Sequence, residues 1–523
     1  MRRVPWRHVW LLLLRTDGLI RCKNRRASAF SSSGRPPVQF VDMEPSDGAE
    51  KGRAEMDARS PCETRLSDSP PMDRNPSPPP CQEQESDIEG DSVGETLYSK
   101  HWIFTTLTCL IQTVTEHEAG DTGDQVELSE EKEDKLCKIW DMAMDKDVAG
   151  FLEEFKASDI LLGAIAKSRC PRLTEICVGI LGNMACFPET CLSISQKVDL
   201  SVVILLLLGD SDPPTLLETS RLLLTCLAQT NVAPLWLERI RQQKSVCPNL
   251  CFIMCSSTNV DLLVKVGELV HKLFDLDEEL MKNWITAHPS DTESDSHLYV
   301  APSLLEAAKQ LRLESPEGLE VYLHALQLLT TVDEGVQDLV ERAGTAEETW
   351  ALLCELVCED LCQPDDPPLI LQEQKGLLVP ALAVLSTLSA CQDHEYNCTD
   401  RNLPLVGTLL RVLRYLRDCQ PSELEAQDKD GSGNGLNEEE DVQLSALRET
   451  ATEFLASMLI NLTKVSVSEL LKMGYLGEQT CLVAAGSLLP QHSTEVQHIV
   501  GLLSEAESGL ADMMREKFPV LRP

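Results

Sequence analysis

Twelve residues, Asp428-Lys-Asp430-Gly-Ser432-Gly-Asn434-Gly-Leu-Asn-Glu-Glu439, carry oxygen side chains at alternating positions and close on a carboxylate. A hard cation such as calcium takes that ligand set. Asp428, Asp430, Ser432, Asn434 and Glu439 fall where the loop of a helix–loop–helix calcium site places its ligands, with Gly433 at the tight turn. Two features oppose the match: Gly435 stands where an apolar anchor is wanted, and Pro421–Gln427 is a poor entering helix. The stretch reads as an acidic insertion, with calcium binding as the competing reading. Cys391-x-x-His394-x-x-x-Cys398 has zinc-ligand residue types but lacks a fourth ligand at a paired short spacing. Cys247, Cys251 and Cys255, like Cys354, Cys358 and Cys362, recur at helical spacing and read as core thiols. His271 and His324 each lie on an apolar helix and read as satisfied core histidines. No phosphate-cradling Gly-Lys-Ser/Thr loop, His-Glu-x-x-His or Gly-x-Ser-x-Gly elbow is present. The expectation is a protein without catalysis, cofactor or resident metal.

Charge narrows the partners. The 523 residues carry a net charge of −38, yet residues 1–71 alone are at +4, which leaves −42 on the remainder. So acidic a body repels phosphate backbones, and nucleic-acid binding gains mainly from Lys and Arg contacts. Protein partners with basic segments fit better, because opposite potentials speed and orient encounter. Of the twenty cysteines, Cys177, Cys186, Cys226, Cys251, Cys255, Cys354 and Cys358 lie within apolar helical patterns and look reduced, as in cytosol or nucleus. No continuous apolar run reaches the roughly 18 residues that span a bilayer. At the amino terminus, Arg2, Arg3 and Arg7 precede Val9–Leu14, and five basic residues follow by Arg26. Mitochondrial transit peptides share that pattern; an unstructured or alternatively initiated leader, with Met72 as a second start, competes.

The elements that position these residues are helices. Residues 1–95, rich in Pro, Ser and charge, are expected to be disordered. Ser60, Ser69 and Ser77, each followed by Pro, would accept proline-directed phosphorylation there. Residues 96–523 read as one domain of helix after helix, with acidic loops near 116–135, where a fraying helix start is the other reading, and 421–441. Within it a pattern repeats. Glu175–Ala185, Glu218–Ala228 and Val264–Phe274 align their apolar positions at spacings of 43 and 46 residues, with weaker echoes at Glu320–Thr330, Val379–Ser389 and Glu453–Thr463. A short apolar helix and a turn ending in Pro precede the first two. A unit of that kind cannot bury its apolar stripe alone, so the units must stack. The predicted fold is an all-α solenoid of the armadillo/HEAT kind, with one groove lined by the long third helices.

In armadillo proteins that third helix often presents an Asn to a bound peptide backbone, with a Trp one turn earlier. Asn183 takes the first position; the second is Gly179. The equivalent pairs are Leu222 with Cys226 and Glu268 with Lys272, so these six are the candidate groove residues. Asn183 would either pair with a peptide backbone or hydrogen-bond a neighbouring turn.

Tyr98–Trp102, Cys170–Phe187, Asp210–Leu227, Ser256–Glu268 and Asp365–Lys375 closely resemble the serum amyloid A-like 1 family, from about Met72 to the carboxyl end. The resemblance implies an armadillo-type, largely nuclear protein linked to cell proliferation, notably of synovial fibroblasts under inflammatory stimulation. It supplies no catalytic residues. The expected function is a protein-binding scaffold or adaptor in nucleus or cytoplasm; the alternative is a nuclear transport or chaperone-like carrier of basic protein cargo.

Overall fold

The computed structural model describes residues 93–94, 96, 98–119, 127–287, 298–342, 344–391, 402–419 and 441–522, all within one compact, almost wholly helical unit. Eight long helices form its spine: α2 (Glu130–Met142), α5 (Pro171–Met184), α8 (Pro213–Leu227), α11 (Val260–Leu276), α14 (Pro316–Leu329), α17 (Ile370–Cys391), α19 (Val442–Leu459) and α22 (Ser493–Ala506). Each packs on the one before and the one after. A second row runs alongside: α1 (Lys100–Ala119), α4 (Ala157–Lys167), α7 (Val198–Leu206), α10 (Val246–Ser256), α13 (Val300–Glu314), α16 (Thr345–Glu355), α18 (Leu403–Asp418) and α21 (Glu478–Leu488). Short helices α3 (Lys146–Glu154), α6 (Pro188–Gln196), α9 (Ala233–Gln242), α12 (Glu278–Thr286), α15 (Asp333–Glu341) and α20 (Lys464–Lys472) open the units, and α23 (Ser508–Lys517) follows the last. Three helices per unit, stacked on nearest neighbours, make this an armadillo-like α-solenoid.

Local chemistry sets where the spine helices begin. Pro occupies the first turn of α5, α8 and α14, where its missing N–H would have had no helical partner. The side chains of Asp212, Asn259, Ser315 and Asp441 accept backbone N–H groups at the starts of α8, α11, α14 and α19. Such caps contribute roughly 0.5–2 kcal/mol each. In α11, Leu262, Leu263, Val266, Leu269, Val270 and Leu273 return at three- and four-residue steps and are all buried. They join a single hydrophobic cluster running from Val93 to Leu521. At about 1.5–3 kcal/mol per enclosed Leu or Val, this shared core is what holds the units together.

The stretch 116–135 is not one loop. Residues up to Ala119 finish α1, and residues from Glu130 begin α2, where Glu131 and Asp134 pair with Lys135 and Lys138 at helical spacing. The spine also extends past the detected repeats at both ends, through α2 and α22. By length and composition α17 would span a bilayer. Its apolar side, however, packs against α14 and α19, and its Lys375 pairs with Asp441. It is a core helix of the spine. Leader residues 1–92 with their serines, residues 288–297, His394, Cys398 and Asp428–Glu439 lie outside the described residues, whereas Val93, expected in the disordered leader, is buried in the core.

Candidate partner-binding ladder

Asn183 links three spine helices. Its Nδ2 donates to the backbone oxygen of Trp140 on α2 at 2.7 Å, and its Oδ1 accepts from Arg221 Nη1 on α8 at 2.9 Å. Arg221 also donates to the Gly179 oxygen at 3.1 Å and pairs with Glu218 at 2.5 Å. With 7% of its surface exposed, Asn183 has both polar groups engaged inside the fold. Here it is a staple. Asn183→Ala is expected to cost about 1–3 kcal/mol, since Arg221 and the Trp140 carbonyl are left half-satisfied. Faster amide exchange across residues 130–227 would report it, and unaltered exchange would count against the staple.

Gly179 lies in the core because a tryptophan does stand over this turn, but it comes from the preceding helix. A Cβ at 179 would lie 2.2 Å from Trp140 Cε2. Leu222 and Cys226 are fully buried and cannot line a groove. They share the burial of Gly179 and Asn183, from which the 43-residue step derives them. Burial on α8 and α11 falls in step at 47 residues, Leu222 with Leu269 and Cys226 with Leu273, not at 46. One residue is about 100° of helix rotation, enough to turn a core position outward. Glu268 and Lys272 are partly exposed, and each is neutralised on its own helix, by Lys265 at 2.7 Å and Asp275 at 3.2 Å.

The outward positions form a charge pattern. Arg172–Glu175 on α5, Glu218–Arg221 on α8 and Lys265–Glu268 on α11 are ion pairs three residues apart, at 2.8, 2.5 and 2.7 Å. On α14 the pattern breaks. That helix has no Lys or Arg, and its Glu320 lies 3.8 Å from His324 Nε2 of the same helix. Their side chains are 17% and 16% exposed, so the pair is half-buried. Residues 306–373 around it carry 16 carboxylates against three Lys or Arg.

His271 of α11 faces His324 across this seam, ring centroids 5.9 Å apart. Burial, then the neighbouring imidazole, pushes His271 down to about 4, so it is neutral near pH 7. Neither histidine is the satisfied core residue expected from its apolar helix. His271 Nε2, His324 Nδ1 and Gln327 Oε1 are buried and find no hydrogen-bond partner among the described residues. Gln327, 4% exposed, lies one turn beyond His324. It holds on α14 the position His271 holds on α11 when burial sets the helices in step. A histidine and a glutamine at matching places of successive repeats were the only sequence signal, and a weak one.

The cysteines leave the ladder to other groups. Cys177, Cys226 and Cys251 are buried thiols, and burial pushes Cys177 up to about 12. Cys186, by contrast, is exposed just past α5. No three metal-ligating side chains converge among the described residues.

Residues 246–496 match the family model described as the SAAL1 C-terminal domain. Protein saal1 of Danio rerio is 55% identical over 475 residues, covering 90% of this chain and 98% of that protein. Protein SAAL1 of Homo sapiens is 48% identical over 472 residues, covering 86% and 99%. Among solved structures, a designed armadillo repeat protein aligns at 16% identity and a TM-score of 0.36, over 54% of this chain and 99% of its own. A complex of SYS-1 with POP-1 aligns at 12% identity and 0.38, over 73% and 62%.

Proposed function

The chain belongs to the SAAL1 (serum amyloid A-like 1) family, and from that premise we propose that it is a non-enzymatic scaffold whose spine helices hold a basic segment of another protein. It acts in the nucleus or cytoplasm and promotes cell proliferation through that partner, as the family resemblance suggests. One observation supports the binding face above the others: residues 306–373, which include α14, carry 16 carboxylates against three Lys or Arg. That excess of carboxylates attracts a positively charged segment.

A photo-crosslinkable decalysine peptide tests this reading. Adducts are expected on α8, α11, α14 and α17, fading as salt rises because screening weakens charge attraction. Adducts spread over the second row, or equal labelling by a decaglutamate peptide, would sink it.

A further inference from the structure

We propose that Cys191 of α6 and Cys226 of α8 form a redox switch, which hydrogen peroxide closes into a disulfide stapling the first helix of one unit to its third. The two thiols come from separate helices and stand Sγ to Sγ at 3.9 Å, both fully buried. Bonded sulfurs lie about 2.05 Å apart, so the closing movement is about 2 Å, within reach of side-chain rotation. Cys247 and Cys251 are also neighbours, but they sit one turn apart on α10. A helix holds such Cβ atoms roughly 5–6 Å apart, too far for the ~3.8 Å that a disulfide takes. The 191–226 pair meets no such bar.

The surroundings make Cys191 the attacking sulfur. Ser195, one turn on, accepts the indole N–H of buried Trp236 at 2.9 Å, which leaves its own proton free to point at Cys191 Sγ, 4.0 Å away. Contact with Cys226, helped by that hydroxyl and opposed by burial, holds Cys191 below the ordinary thiol range; the same contact, with burial, pushes Cys226 above it. The Cys191 thiolate attacks one peroxide oxygen, the O–O bond breaks, and the other oxygen leaves as water with the thiol's proton. The Cys226 sulfur then displaces the sulfenic hydroxyl. The S–O bond breaks, the S–S bond forms, and a second water leaves with the Cys226 proton. Two electrons pass from the sulfurs to the peroxide. The oxidant enters when α6 opens, since a helix of nine residues is marginal without its packing. Cys186, five residues before Cys191, is exposed, so solvent already reaches the chain ahead of α6. Once formed, the bond closes 35 residues of chain, and α6 can no longer swing away from α8. This switch is independent of what the spine binds.

The test is peptide mapping of the full folded chain after hydrogen peroxide treatment, with free thiols capped by N-ethylmaleimide before digestion. A peptide pair joined through Cys191 and Cys226 is expected, lighter than its separate parts by the two lost hydrogens and separated again by dithiothreitol. Amide exchange across 188–227 should slow at least about tenfold on oxidation and recover on reduction. Cys191→Ala and Cys226→Ala should each abolish the joined pair and leave exchange indifferent to peroxide. The map of the unmodified protein decides alone if either variant folds poorly. Linkage of either sulfur to Cys186 instead, or oxidation of Cys186 while Cys191 and Cys226 stay free, overturns the switch. So does a 191–226 link that forms only in urea, or exchange that is unchanged by complete linkage.

Discussion

Replacing Tyr322 with alanine is expected to remove about 3–5 kcal/mol from the packing of α11 against α14, the usual cost of deleting a large enclosed aromatic ring. Tyr322 is fully buried. Its hydroxyl donates to the Leu263 oxygen at 2.8 Å, and its Cε2 lies 2.6 Å from where a Cβ on Gly267 would be. Glycine at 267 therefore makes the space that the ring fills. Tyr322→Phe keeps the ring and loses the hydroxyl contact, so it should cost only about 1 kcal/mol. Because each unit touches its immediate neighbours alone, the damage should be local. Hydrogen exchange should accelerate across 260–329 well before it changes near 130–184. A loss under about 1 kcal/mol for Tyr322→Ala would mean that the ring does not join the two units.

Gly179→Val should be nearly as damaging, about 3 kcal/mol, at the upper end of what overpacking a filled core costs. Trp140 Cε2 stands 2.2 Å from the first added carbon, and a fused ring cannot fold aside as a long flexible chain would. The helices must part or the indole must leave. Either route disturbs the Trp140 carbonyl that Asn183 holds, so the losses from Gly179→Val and Asn183→Ala should not add. Urea unfolding of the single and double variants measures this. Trp140→Leu on the Gly179→Val background should restore part of the stability, and its failure to do so would place the strain elsewhere.

How much of this was legible beforehand follows from what sets each feature. The stacking of α5, α8 and α11 was readable, because burial imposes the same apolar spacing on every copy. α2 was only half legible: its start read as a solvated loop or a fraying helix, because five of its thirteen residues are Asp or Glu and they mask the stripe of Leu136 and Ile139. The groove positions failed for a geometric reason. Gly179, Leu222 and Cys226 share the burial of Asn183, and a one-residue slip between α8 and α11 set the outward Glu268 and Lys272 in step with that core leucine and cysteine. Asn183 was visible as an amide at a telling position, yet its two partners lie 43 and 38 residues away, and only the folded chain joins them. The His271–Gln327 cluster was least legible. An unsatisfied atom is defined by what surrounds it, and residue type alone cannot show that.

The row of long helices has a further consequence for how the molecule wears out. A globule knitted by contacts between distant parts fails as a whole once it opens. Among the described residues, every inner unit is clasped on two sides, while those near α1 and α23 are clasped on one. Proteolysis should therefore nibble inward from the tips, leaving a shortened but still folded middle that includes the His271–His324 seam.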